Sequence, residues 1–157
     1  MRLPATTERV TRHTSEDNNR RIRQEMENRL SYYADHPGEI AERLRGLDRE
    51  WDVERTLEAN ASSLALSGLV LALTVNGRFV LIPAMVTAFL LQHALQGWCP
   101  PVPVLRRFGF RTQSEIELER YALKALRGDF GPLSLEAPDV GRQAKVEKVL
   151  EVLSEAA

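Results

Sequence analysis

The sequence predicts an all-α membrane protein in which a two-helix transmembrane hairpin has amphipathic cytoplasmic helices before and after it. Three observations lead to this fold class. Residues 61–98 hold a single charged side chain, Arg78, although the chain of 157 residues has 21 basic and 22 acidic side chains. An Asn-Gly turn signal divides this apolar stretch into two runs. On both sides of it, apolar residues recur at helical spacing among charged ones.

The hairpin is expected over residues 56–98, with spans at 56–75 and 79–98. At about 1.5 Å per residue, the second span reaches about 30 Å, which is the thickness of the hydrocarbon core of a bilayer. The first apolar run, 61–75, covers only about 22 Å, so it needs the preceding turn of helix or local thinning of the bilayer. A soluble bundle with a buried hairpin is the alternative, but the polar flanks offer little apolar surface to cover two such runs.

Small residues recur in both spans at intervals of three or four, which places them on one face of each helix. In lipid, helices associate through close approach of their backbones, so these two faces are predicted to pack against each other. The predicted helix-packing residues are Ala61, Ala65, Gly68, Ala72, Ala84 and Ala88. Gln92 and Gln96 continue the second stripe, and their amides are expected to point into the seam or toward a partner chain.

Basic residues predict the orientation of the hairpin. Arg78 lies alone in the turn, whereas the flanking segments have Arg43, Arg45, Arg49, Arg55, Arg106, Arg107 and Arg111. By the positive-inside rule, both termini are expected in the cytoplasm and the turn on the other side of the membrane. The residues predicted to anchor the hairpin at the interface are Trp51, Trp98, Arg106 and Arg107.

The segment before the hairpin has two parts. Residues 1–14 have no periodicity and are expected to be disordered. Residues 15–55 are predicted to form two cytoplasmic or interfacial helices, separated near Pro37. The second of these helices has an apolar stripe that can lie on lipid, pair with the preceding helix or dimerise. That stripe consists of Ile40, Leu44, Leu47 and Trp51, and it can extend to Leu57.

After the hairpin, residues 99–111 are predicted to form a proline-rich interfacial exit, because prolines remove backbone donors and stop a helix. Residues 112–157 are predicted to form cytoplasmic helices. Thr112 and Glu115 have the spacing of a capping box, which opens a helix that ends near Gly128. A last helix is expected after a cap at Asp139, with an apolar stripe of Val146, Val149, Leu150 and Leu153.

The stretch 91–109, preceded by two apolar helices and a tight turn, resembles a bacterial two-span membrane domain of unknown function called YgaP-like. Its most specific element, Gly97-Trp98-Cys99-Pro100, is similar to the Gly-aromatic-Cys-Pro exit of that family, and the resemblance covers roughly residues 50–110. It implies an inner-membrane helical hairpin, often a homodimer, with a link to sulfur handling in members fused to rhodanese domains. This sequence contains no rhodanese domain and no catalytic cysteine loop of that type, so sulfurtransferase activity is not implied.

Cys99 and three neighbours, His93, Gln92 and Gln96, form the candidate thiol site. A cysteine at a helix C-terminus faces the negative end of the helix dipole, which disfavours the reactive thiolate. A persulfide, redox or small-anion transport role centred on Cys99 is therefore the alternative hypothesis. The sequence has no recognisable metal-ligand spacing, phosphate loop or catalytic triad, and it predicts no metal, no cofactor and no enzymatic activity.

The overall charge of −1 leaves no basic excess to support nucleic-acid binding. The main prediction is an anchoring or assembly element that sits in the lipid bilayer as a helical-hairpin homodimer. Its amphipathic flanks would hold an unidentified membrane or cytoplasmic protein.

Overall fold

The computed structural model describes residue 5 and residues 7–130, and within these residues all the regular elements are helical, which confirms the predicted all-α class there. The described α-helices are α1 Glu16–Asp35, α2 Ile40–Arg49, α3 Val53–Thr74, α4 Leu81–Gln96, α5 Pro101–Arg107 and α6 Gln113–Arg127. Short 3-10 helices lie at Thr11–His13, Pro37–Glu39 and Gly77–Val80. The helix predicted after Asp139 lies outside the described residues.

The described chain divides into two compact units. The first unit takes the N-terminal residues through Glu25 and then Glu50–Ile116, so it contains α3, α4 and α5. The second unit takes Met26–Arg49 and continues from Glu117, so it contains α2. Helices α1 and α6 are each divided between the two units.

In the second unit, the apolar stripe of α2 is covered by protein. Ile40, Leu44 and Leu47 are all buried, as is Leu123 of α6. Beside them the fully buried carboxylate of Glu119 accepts hydrogen bonds from Arg29 and Arg43, at 2.9 Å and 2.8 Å. Three residues of the predicted stripe are therefore covered by protein of the same chain, whereas Trp51 is 47% exposed.

The core of the first unit is a cluster of Val10, Val53, Leu57, Cys99 and Val102. Val10 is only 1% exposed, and the next residues form the 3-10 helix Thr11–His13. The expectation of disorder over 1–14 is therefore corrected for the described part of that segment. Val10 is apolar but stands in a polar, aperiodic stretch, so its burial depends on partners more than 40 positions away in the sequence.

Side-chain caps set the ends of two helices. The Asp52 carboxylate accepts a hydrogen bond from the Arg55 amide at 2.6 Å, so α3 begins after a break from α2. The predicted capping box is confirmed: the Thr112 amide donates to Glu115 at 2.9 Å, and the Glu115 amide donates to the Thr112 hydroxyl at 3.3 Å. Helix α6 ends at Arg127, next to Gly128, whose φ of 87° is the left-handed conformation expected after a helix.

The proline-rich exit differs from its prediction. Cys99 and Pro100 turn the chain, but Pro101–Arg107 forms the short helix α5, whose Val102 is fully buried. Proline fits the first turn of a helix because the amides there have no partner within the helix. Helix α4 thus ends at Gln96, before the prolines, and Pro101 begins α5 a few residues later.

Helices α3 and α4 pack side by side and are joined by the turn that begins at Val75. In this turn the Asn76 side chain accepts a hydrogen bond from the Arg78 amide at 2.9 Å. At Gly68 the two helices are in close contact, because a β-carbon placed on it would lie 2.8 Å from both Ile82 Cβ and Pro83 Cδ. The two backbones can approach this closely only where α3 has no side chain.

We expect Gly68→Ala to destabilise the helix pair by about 1–3 kcal/mol, because the added methyl group overlaps Ile82 and Pro83. Gly46→Ala in α2 is the control, since its new methyl group meets only Arg43 at 3.9 Å and should stabilise the helix by about 0.5–1 kcal/mol. Denaturant unfolding in a nonionic detergent, followed by circular dichroism, measures both. Equal stability of Gly68→Ala and the wild type would contradict the close approach.

Candidate functional site

The outward sides of α3 and α4 form an apolar belt that the described chain leaves uncovered. Two helical segments, within Pro37–Thr74 and Gly77–Gln96, are long and apolar enough to cross a membrane. In the most apolar stretch of each segment, only 17% and 6% of the residues are buried. The belt consists of Leu64, Leu66, Leu69, Val70, Leu71, Leu73, Val75, Val80, Leu81, Met85, Leu91 and Leu95. Monomeric soluble proteins rarely leave an apolar surface of this extent in water.

The small residues of α3 lie on the side that faces α4. Gly68 is buried and the others, Ala61, Ala65 and Ala72, are half-buried. Helix α4 turns a different face from the one predicted, since Ala84 and Ala88 are both exposed. The residues that α4 keeps covered are instead the larger Ile82, Pro83, Val86 and Phe89. Large side chains of one helix thus fill the space that small residues leave on the other, and the small stripe of α4 faces outward.

The structure places Cys99 in an apolar core rather than in a polar constellation. The thiol is 5% exposed among Val10, Leu57 and Val102, and burial raises its pKa. His93 is also buried, but neither of its ring nitrogens has a hydrogen-bond partner, so it does not bond the thiol. Gln96 is exposed and Gln92 is half-buried. A buried thiol whose protonated form is favoured is a poor nucleophile at neutral pH.

Gly97 ends α4, and its backbone conformation explains why the stretch Gly97-Trp98-Cys99-Pro100 begins with a glycine. Its φ of 78° is left-handed, and its amide donates to the His93 carbonyl at 2.7 Å to close the helix. A β-carbon there would lie 2.4 Å from the Arg9 carbonyl oxygen, so no side chain fits. Arg9 itself donates to the Ala94 carbonyl at 3.2 Å and lies 4.0 Å from Glu54. Arg9 could not be identified from the sequence, because no local pattern marks it.

Arg106 is a structural cation rather than the predicted interface anchor. Its side chain is 0% exposed, and its guanidinium donates to both carboxylate oxygens of Glu115, at 2.6 Å and 2.8 Å. The remaining donors bond Asn19 at 2.9 Å, Thr14 at 3.2 Å and the Phe110 carbonyl at 3.0 Å. A guanidinium satisfied on all sides inside the protein has no donor left for a lipid headgroup.

The other three predicted anchors are at least partly accessible. Trp51 is 47% exposed, and the Arg55 guanidinium lies 4.5 Å from its ring centroid, which is a cation–π contact. Trp98 is half-buried and Arg107 is exposed. These three side chains can meet an interface, whereas Arg106 cannot.

The carboxylate of Glu115 has a pKa below its ordinary value of 4.5. Burial alone would raise this pKa, but the hydrogen bonds from Arg106 and from the Thr112 amide outweigh burial. The charged form of Glu115 is therefore the one that the fold stabilises.

Comparison of the chain with protein-family models, with curated proteins and with solved structures finds no match. The resemblance to the YgaP-like domain therefore stays a prediction. Among the described residues, no three histidine, cysteine or acidic side chains lie together as a group that could hold a metal ion.

We expect Arg106→Met to cost about 3 kcal/mol or more in the free energy of unfolding, because it leaves the polar partners of a buried cation unpaired. Arg12→Ala is the control, since Arg12 and Glu8 form an ion pair whose side chains are 60% and 57% exposed. Removing that pair should cost less than about 1 kcal/mol. Similar losses in the two variants, measured by denaturant unfolding in detergent, would refute the structural role of Arg106.

Acid should weaken the contribution of Glu115. Because its folded-state pKa is lowered, the stabilisation is complete above the ordinary value of 4.5 and is lost as the pH falls through the lower, folded-state pKa. Unfolding free energies of the wild type and Glu115→Gln, compared over a series of acidic pH values, should converge as the pH falls. A difference that does not depend on pH would contradict the assignment.

Proposed function

We propose that this protein is an anchoring or assembly element of the bacterial inner membrane, with α3 and α4 crossing the bilayer as a hairpin. The exposed apolar belt on these two helices is the observation that supports the proposal. In water, each exposed leucine of the belt would forgo part of the roughly 1.5–3 kcal/mol that full burial of its side chain contributes, whereas lipid covers it at no such loss. A soluble bundle would have to cover the same surface with other protein.

The distribution of charge supports a cytoplasmic location for both ends. Helices α3 and α4 begin and end, at Val53 and Gln96, next to segments rich in arginine, whereas the turn between them contains one cation, Arg78. The positive-inside rule then places the turn outside the cytoplasm.

The surroundings of Cys99 favour anchoring over thiol chemistry. Its thiol is buried, burial raises its pKa, and no hydrogen bond from His93 activates it. No observation on the described residues favours the persulfide, redox or transport hypothesis, so we do not put it forward as a second function.

A second copy of the chain is the proposed partner within the bilayer. Ala84 and Ala88 face outward, so two α4 helices can approach closely there, as small residues allow in membranes. Gln96 is exposed on the same helix, and its amide is costly against hydrocarbon unless another amide pairs with it.

The test is cysteine accessibility in spheroplasts, with single cysteines in a Cys99→Ala background. Gly77→Cys reports on the turn and Gly38→Cys reports on the flank, and each new side chain meets no other atom within 4 Å. We expect a membrane-impermeant maleimide to label Gly77→Cys in intact spheroplasts, but Gly38→Cys only after permeabilisation. The protein should also resist extraction by alkaline carbonate.

Labelling of Gly38→Cys alone would reverse the orientation, and labelling of both sites in intact spheroplasts would exclude a cytoplasmic flank. Loss of the protein to the carbonate wash would replace the membrane proposal with a soluble bundle.

A further inference from the structure

Helices α3 and α4 enclose an apolar cleft of about 190 Å³ near the end that holds Cys99. Leu57, Ala61 and Leu64 of α3 form one wall, and Val86, Phe89 and Leu90 of α4 form the other. Pro100 and Pro101 close it from below, together with the buried Cys99. We propose that this cleft binds a segment of one acyl chain of a membrane phospholipid. The proposal rests on the membrane location proposed above.

The cleft results from a difference in helix packing between Gly68 and the Cys99 end of the pair. At Gly68 the backbones are as close as a missing side chain allows, whereas toward the Cys99 end the wall of α3 is made by Ala61, whose methyl group leaves space before Phe89. The proline-bounded floor cannot close this gap, since Pro101 opens the rigid first turn of α5. The space is therefore part of the packing of the helix pair.

The lining decides the chemistry of the occupant. It contains no charged side chain, and the Asn60 amide is held by the Thr56 carbonyl, to which it donates at 2.8 Å. A phosphate, a carboxylate or a metal ion would find no counter-charge there. Water is disfavoured as well, because a cavity with an apolar lining stays dry. The occupant must therefore be a hydrocarbon.

The cleft is continuous with the apolar belt, which indicates that the hydrocarbon comes from the bilayer. Leu64 lines the cleft and is also exposed in the belt, so the cleft opens onto the surface that lipid would cover. Beyond the floor, Val104 and Phe108 extend an exposed apolar line along α5 from Pro101, and Phe108 is 77% exposed. A helix of a second chain, about 10–12 Å in diameter, could only cover the mouth of a cleft of about 190 Å³, whereas a segment of an acyl chain can enter it.

The experiment uses the full-length protein in phosphatidylcholine vesicles that contain a phosphatidylcholine with a diazirine on one acyl chain. After illumination, mass spectrometry locates the lipid adducts. We expect adducts at two kinds of place: on the outward belt, such as Leu66 and Leu73, and on residues reached through the cleft, namely Phe89, Leu90 and Cys99.

Ala61→Phe fills the cleft, so it should abolish the adducts at Phe89, Leu90 and Cys99 and retain those on the belt. Leu66→Phe adds a ring to the outward face of the same helix and should retain both kinds. If Ala61→Phe does not fold, Leu64→Trp blocks the cleft from its exposed rim and should give the same selective loss.

Adducts confined to the belt in the wild type would overturn the acyl-chain site but leave the membrane location intact. Cleft adducts that persist in Ala61→Phe or Leu64→Trp would also overturn it, because lipid would then reach Cys99 by another route. If the protein does not sediment with the vesicles and carries no adducts, the proposed function itself fails.

Discussion

The buried guanidinium of Arg106 is the interaction on which the first unit depends. It bonds Thr14 and Asn19 near the chain start, the Phe110 carbonyl after α5 and Glu115 in the first turn of α6. Glu115 in turn holds the Thr112 amide and so completes the cap of α6. One cation therefore ties together segments more than 80 residues apart in the sequence. Because a buried charge is tolerated only when all of its donors are satisfied, these segments have little freedom to rearrange separately.

The second constraint is the apolar surface that α3 and α4 leave uncovered. Their contact with each other uses one face of each helix and has no room for a side chain at Gly68, which leaves the larger part of both helices as apolar surface. The same unit combines the charged network around Arg106 with an uncovered apolar belt. The charged network suits water and the belt suits lipid, which are the two environments on either side of a membrane interface. The buried cluster around Cys99 and Val102 lies where the apolar helices join the polar segments.

Three of the arginines on which the proposed orientation rests form ion pairs in the folded chain. Arg43, Arg106 and Arg111 all pair with glutamates, namely Glu119, Glu115 and Glu50. The positive-inside effect acts while the chain is being inserted, before these ion pairs form. In the proposed topology, the same cations would first direct insertion and then stabilise the flanking segments by pairing, while Arg55 and Arg107 stay exposed.

Local patterns in the sequence determined the helical class, the apolar middle, the Asn-Gly turn and the capping box at Thr112. Each of these depends on residues within a few positions of one another, and the structure of the described residues agrees with them. The sequence could not show that Val10 is buried, that Arg106 is internal or that Ala84 and Ala88 face outward. Helical spacing identifies a face but not its neighbour, and a free arginine has the same local signature as one that is buried and paired. Only the tertiary structure decided these points, because each depends on contacts between segments that are distant along the chain.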